Sequence, residues 1–188
     1  MIYPSKFIPI AEEFGLISLV GEWVLITACT QTKKWQNAGF PLLHVTVNLS
    51  ARQLEQKDFS KTVLNALGKT KLDPHYLELE ITETVIMRNV ETAIKTLRGL
   101  NAMGVRIVVD DFGTGYSSLS YLKNFPVHAI KIDQSFVKDL VTDSRTQAIV
   151  KGVIDMAATI KCDRCGKLEE GWDVCLFKGE LKSVVGRN

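Results

Sequence analysis

The sequence predicts an α/β fold built from repeated strand-plus-helix units, a partial (β/α) TIM-like barrel, and three observations carry that reading. Four short apolar runs, three of them alternating with period two, each stop at a polar group, and the stops recur at the spacing of one unit. The runs are His44–Asn48, Leu77–Ile81 around Glu80, Val105–Val109 followed by Asp110 and Asp111, and Ala129–Asp133 around Lys131. The steps from Asn48 to Glu80 to Asp110 to Lys131 are 32, 30 and 21 residues, about what a strand and its helix occupy in a parallel sheet or barrel. Polar stops at unit spacing are expected to converge on one rim.

Helical patterns fill the intervals. Leu19, Trp23, Ile26 and Thr30 recur on one face of a helix predicted from about Ser18 to Gln36. Phe59, Val63 and Leu67 do the same after Asp58, and Asn89 is a candidate N-cap for a helix with the stripe Val90, Ile94, Leu97 and Leu100, ended by Gly104. A last helix is expected from Asp143 or Ser144, burying Ile149, Val153 and Ala157. These stripes are read as core, because helices must cover the sheet. A closed eight-unit barrel usually needs about 250 residues, so 188 residues with four clear strands predict that parts of the barrel are missing.

Composition is that of an ordinary soluble globular domain, with 46% hydrophobic and 23% charged residues. The net charge of +2 is small and scattered, which argues against a nucleic-acid polymer as partner. The longest apolar stretch, Leu16–Cys29, is short and interrupted by Glu22, so no membrane span is expected, and no signal-peptide pattern precedes it. The expected location is cytoplasmic.

The chemistry concentrates at Asp110-Asp111-Phe112-Gly113-Thr114-Gly115. An Asp-Asp pair alone reads equally as a solvated turn. At the mouth of an apolar core, however, adjacent carboxylates repel and lose hydration, and a divalent cation is the most economical compensation.

Five segments then resemble, in order and spacing, the EAL domain family of bacterial cyclic di-GMP phosphodiesterases: Phe7–Glu12, Val47–Leu54, Glu78–Glu83, Asp110–Leu119 and Lys131–Asp133. The resemblance runs from about Pro4 to about Ile160, a partial domain over residues 1–160, and implies hydrolysis of cyclic di-GMP to pGpG with two Mg²⁺ or Mn²⁺ ions. It implies Asn48, Glu80, Asp110 and Asp111 as metal ligands, and Lys131, with Asp110 and Asp111, as the catalytic group. Lys131 has the further reading of an internal salt bridge to Glu80 or Asp110. Pro4, Phe7 and Ile8 resemble the segment that leans on a guanine, and read equally as an anchor for the next helix. Glu83, Gly113 and Gly115 would couple the loop after Asp111 to a homodimer interface, with Glu83 orienting the loop rather than binding metal. Fused sensory or membrane domains are usual partners of such modules.

The departures matter too. The Glu-Ala-Leu signature belongs upstream of Pro4 and is not in this sequence, and residues 161–188 read as a divergent tail, so the resemblance implies a barrel lacking its first and last strands. Catalysis by these residues alone is therefore expected to be impaired, with a non-hydrolysing, cyclic di-GMP-binding or dimerisation module as the alternative. In the tail Cys162-x-x-Cys165 resembles half a zinc knuckle without a second pair, whereas Cys29 fits a helix core. His44, His75 and His128 show no ligand spacing.

Overall fold

The structure, a computed structural model, describes residues 2–113, 124–138, 140 and 142–159. It divides into two compact units. The first comprises Met1–Ile81 with Val85–Arg106, the second Thr82–Thr84 with Ile107 onward.

The first unit opens with helices α1 (Pro4–Glu13) and α2 (Ile17–Asn37), separated by Gly15 at φ +72°. Pro4 starts α1 where its missing N–H is no loss. Strand β1 (Val45–Asn48) follows, then the one-turn helix α3 (Ala51–Leu54) and helix α4 (Phe59–Thr70). Ser50 and Gln53 form a reciprocal capping box on α3, each satisfying a backbone N–H at the helix start. A 3₁₀ turn, Pro74–Tyr76, leads into β2 (Leu77–Thr82), which pairs in parallel with β1. Helices α5 (Glu83–Arg88) and α6 (Val90–Ala102) complete the segment, with Thr82–Thr84, at the end of β2 and the start of α5, belonging to the second unit. Asn89 caps α6 by accepting from the Thr92 N–H at 3.1 Å, and Gly104 at φ +88° carries the chain out of it. Val63, Leu77, Leu79, Ile81, Leu97 and Leu100 are fully buried.

In the second unit β3 (Arg106–Phe112, with Arg106 itself in the first unit) pairs in parallel with β4 (Ala129–Ile132). Helices α7 (Gln134–Lys138) and α8 (Ser144–Thr159) follow. The core here is the inner run of β3 with Ala129, Ile130 and Ile132. β3 continues through both carboxylates to Phe112, three residues past the apolar run that defined it in the sequence.

Three helix faces differ from expectation. α2 buries Ile17, Leu25, Cys29 and Thr32, whereas Leu19 and Trp23 of the expected stripe are 68% and 65% exposed. The helix carries two apolar stripes, and α4 and β1 take the one that includes the small Cys29. On α6, Ala93 is buried with Leu97 and Leu100 while Val90 and Ile94 are half-buried; on α8, Val150 takes the buried place expected of Ile149, which is exposed. No described helix is long and apolar enough to cross a membrane.

Candidate active site

β1 and β2 meet in unbroken parallel register, Val45 with Leu77 through Asn48 with Glu80. Because side chains alternate between faces, Thr46, Asn48, Glu78 and Glu80 share one face, and the apolar Val47 and Leu79 share the other. The ladder runs one step further, the Leu49 N–H donating to the Glu80 carbonyl at 2.8 Å. Glu80 is buried and Asn48 exposed, so the two oxygen donors sit side by side at the end of the pair.

One turn of the pleat earlier, Glu78 is buried in a network that the strand pattern did not announce. Arg106 Nε donates to Glu78 Oε1 at 3.2 Å, Thr46 Oγ1 donates to Oε2 at 3.2 Å, and His44 Nδ1 lies 3.8 Å from Oε1. The available signal was the identical spacing of Glu78 and Glu80, which puts two carboxylates on one face and requires a cation for the one away from the strand end.

β3 and β4 are not in unbroken register. Val109 stands opposite Ile130 and Phe112 opposite Ile132, so Asp110 and Asp111 together face Lys131 alone. This is a β-bulge, and Asp111 takes φ +53°, a left-handed conformation that aspartate tolerates better than most residues. Asp110 is buried; Asp111 and Lys131 are half-buried. After the bulge the backbone is held twice. The Gly113 N–H donates to buried Glu83 Oε2 at 3.1 Å, and the Asp133 N–H donates to the Phe112 carbonyl at 3.3 Å. Gly113 has φ +98°, and a Cβ there would lie 2.8 Å from the Phe136 ring, so only glycine fits. The Asp133 carboxylate accepts from Ser135, whose side-chain and backbone hydrogen bonds hold its pKa below the usual carboxylate range.

The remaining expected residues fall elsewhere. Pro4, Phe7 and Ile8 lie on α1, the last two partly exposed. Gly115 and the tail with Cys162, Cys165 and Cys175 lie outside the described residues. His75 pairs with Asp73 at the surface, and His128 Nδ1 accepts from the Ile107 N–H at 3.0 Å. Among the described residues no group of three or more His, Cys, Asp and Glu side chains is arranged to hold a metal ion. The donors themselves, one amide and three carboxylates with two of them buried, are the hard oxygen type that suits Mg²⁺ or Mn²⁺.

A sequence model of the EAL domain matches residues 1–165. The chain belongs to the EAL domain family. It is 44% identical over 153 residues to the signaling protein YkoW of Bacillus subtilis, covering 81% of this chain and 19% of that one. It is 44% identical over 160 residues to the bifunctional diguanylate cyclase/cyclic di-GMP phosphodiesterase MucR of Pseudomonas aeruginosa, covering 85% and 23%. Among solved structures, the PaMucR phosphodiesterase in its c-di-GMP complex superposes with a TM-score of 0.79 at 44% identity, over 85% of this chain and 64% of that one. The EAL domain of Mycobacterium smegmatis DcpA does so with 0.72 at 39% identity, over 77% and 65%. The fold class is therefore α/β of the TIM-like EAL type, and the chain spans about a fifth of the curated relatives and under two thirds of these solved chains.

Proposed function

We propose that this chain contributes to a cyclic di-GMP phosphodiesterase that linearises the substrate to pGpG. The observation that carries the proposal is the bulge that sets Asp110 and Asp111 against Lys131 in a chain of the EAL family. Asn48, Glu80, Asp110 and Asp111 are the proposed ligands of two Mg²⁺ or Mn²⁺ ions. When bound, such ions supply a hydroxide near neutral pH and offset charge developing on phosphorus. In this reading Lys131 orients the attacking water, Glu83 holds the loop after Asp111 through Gly113, and Pro4, Phe7 and Ile8 face a guanine. The protein acts in the cytoplasm as a homodimer, with residues 161–188 a tail of divergent sequence.

A second reading, binding without hydrolysis, is favoured by the lack of a three-member ligand cluster among the described residues. The two are separated by incubating cyclic di-GMP and Mn²⁺ with the 188-residue chain, and with the chain extended by the portion of PaMucR that the match leaves uncovered. Chromatography is expected to show pGpG from the extended protein, little from the shorter one, and none from Asp110→Ala in the extended form. Retention of cyclic di-GMP without pGpG by the extended protein supports the binding module. Undiminished turnover by Asp110→Ala overturns the assigned roles.

A further inference from the structure

We propose that Phe136 is a positioning residue for the Asp110–Asp111 bulge, its ring confining Gly113 and, through Gly113, keeping Asp111 in its left-handed conformation. The contact itself is a matter of geometry; its value to catalysis rests on the reading of the two aspartates as metal ligands.

The backbone from Asp111 to Gly113 does not hold its shape by local preference. Asp111 at φ +53° and Gly113 at φ +98° place two left-handed residues within three positions. The first is strained, the second belongs to the residue type with the most alternative conformations, and such an arrangement persists only where its surroundings over-determine it. Two hydrogen bonds contribute, from the Gly113 N–H to Glu83 Oε2 at 3.1 Å and from the Asp133 N–H to the Phe112 carbonyl at 3.3 Å. Each anchors one polar atom and leaves the Gly113 Cα unconfined. Phe136 supplies the missing wall: its Cε2 and Cζ would lie 2.8 and 3.1 Å from a Cβ at Gly113, so the ring edge occupies the place that a side chain would take.

The ring is set there by the segment that follows Lys131. Beyond the end of β4, the Asp133 carboxylate accepts from the Ser135 N–H at 2.8 Å and the Asp133 carbonyl accepts from the Phe136 N–H at 3.1 Å, a closed turn that opens α7. One short stretch therefore carries Lys131, grips the Phe112 carbonyl and lays an aromatic ring on Gly113. All of these residues, Glu83 included, belong to the second unit. Phe136 is half-buried and stands outside the buried run of β3 with Ala129, Ile130 and Ile132, so the core does not require its ring.

The test uses the isotopically labelled 188-residue chain without nucleotide or metal. The Cα–Hα coupling of Asp111 reads its positive φ, and amide exchange reads the Gly113 hydrogen bond. Phe136→Leu and Phe136→Ala should abolish the left-handed signature of Asp111 and speed Gly113 exchange about tenfold or more relative to the β4 amides, a local opening rather than a global one. Phe136→Tyr, which keeps the ring, should restore both. In the extended protein described above, Phe136→Leu should lower kcat for cyclic di-GMP about tenfold or more with KM little changed, as misplacement of a reacting group does, and Phe136→Tyr should recover it. Three outcomes overturn the proposal: an Asp111 signature identical in the native, Leu and Ala proteins, exchange that rises uniformly through the second unit together with a lower urea midpoint, or undiminished kcat in Phe136→Leu. Absence of turnover in the unsubstituted extended protein would instead count against the phosphodiesterase reading, and the Asp111 signature would still decide for or against Phe136.

Discussion

The two strand pairs solve the same problem, ending a buried strand in polar groups, by opposite means. β1 and β2 keep perfect register, so each polar residue has one neighbour and Asn48 simply lies beside Glu80. β3 and β4 break register, so Asp110 and Asp111 stand opposite the single register position of Lys131, and Asp111 takes a left-handed conformation. A regular ladder distributes charge one position at a time. A bulge sets two carboxylates at one position, at the cost of backbone strain that the Gly113–Glu83 and Asp133–Phe112 hydrogen bonds offset by holding the chain just after it.

The strongest test of the regular pair is Arg106→Met. It leaves Glu78 buried without its guanidinium partner, and loss of one member of a buried pair costs about 3–5 kcal/mol, read from urea unfolding. Glu78→Gln added to Arg106→Met should restore part of that. A loss under about 1 kcal/mol would mean that the pair behaves as an exposed one.

The bulge is sharpened by three substitutions. Asp111→Val should cost about 1–3 kcal/mol from left-handed strain, Asp111→Gly distinctly less, and Asn48→Val on the regular ladder should resemble the glycine rather than the valine change. Equal destabilisation by Val and Gly at Asp111 would remove backbone conformation as the distinguishing feature. Ser50→Ala, just beyond the regular pair, should cost about 1 kcal/mol by opening the capping box, measured in the same unfolding series.

The smallest effect is confined to alkaline pH. Burial pushes the Cys29 thiol up to about 11 from its ordinary value of 9.0. The folded chain therefore holds this proton over a range in which the unfolded chain releases it. Stability from this group is intact below pH 9, falls as pH rises from about 9 to about 11, and leaves neutral pH unaffected. Cys29→Ala should flatten that decline. Peptide mapping after iodoacetamide treatment at pH 8 should find Cys29 unmodified until the chain unfolds.

How much was legible depended on how local each feature is. The four strand positions, the Asn89 cap, the Gly104 exit and the buried face of α4 could be read from neighbouring residues, and all are present. The buried face of α2 could not, because two apolar stripes compete on one helix and only the elements packed against it select Leu25 and Cys29 over Leu19 and Trp23. The Glu78–Arg106 contact joins residues 28 positions apart, beyond any local pattern.

By itself the sequence determined the α/β class, the EAL family and the strand ends at which the polar groups stand, since periodicity, spacing and motif order are properties of one chain read in line. Only the tertiary structure decided the register. The bulge that sets Asp110 and Asp111 against Lys131, with the left-handed turn at Asp111, is a relation between two strands, and neither strand carries it alone.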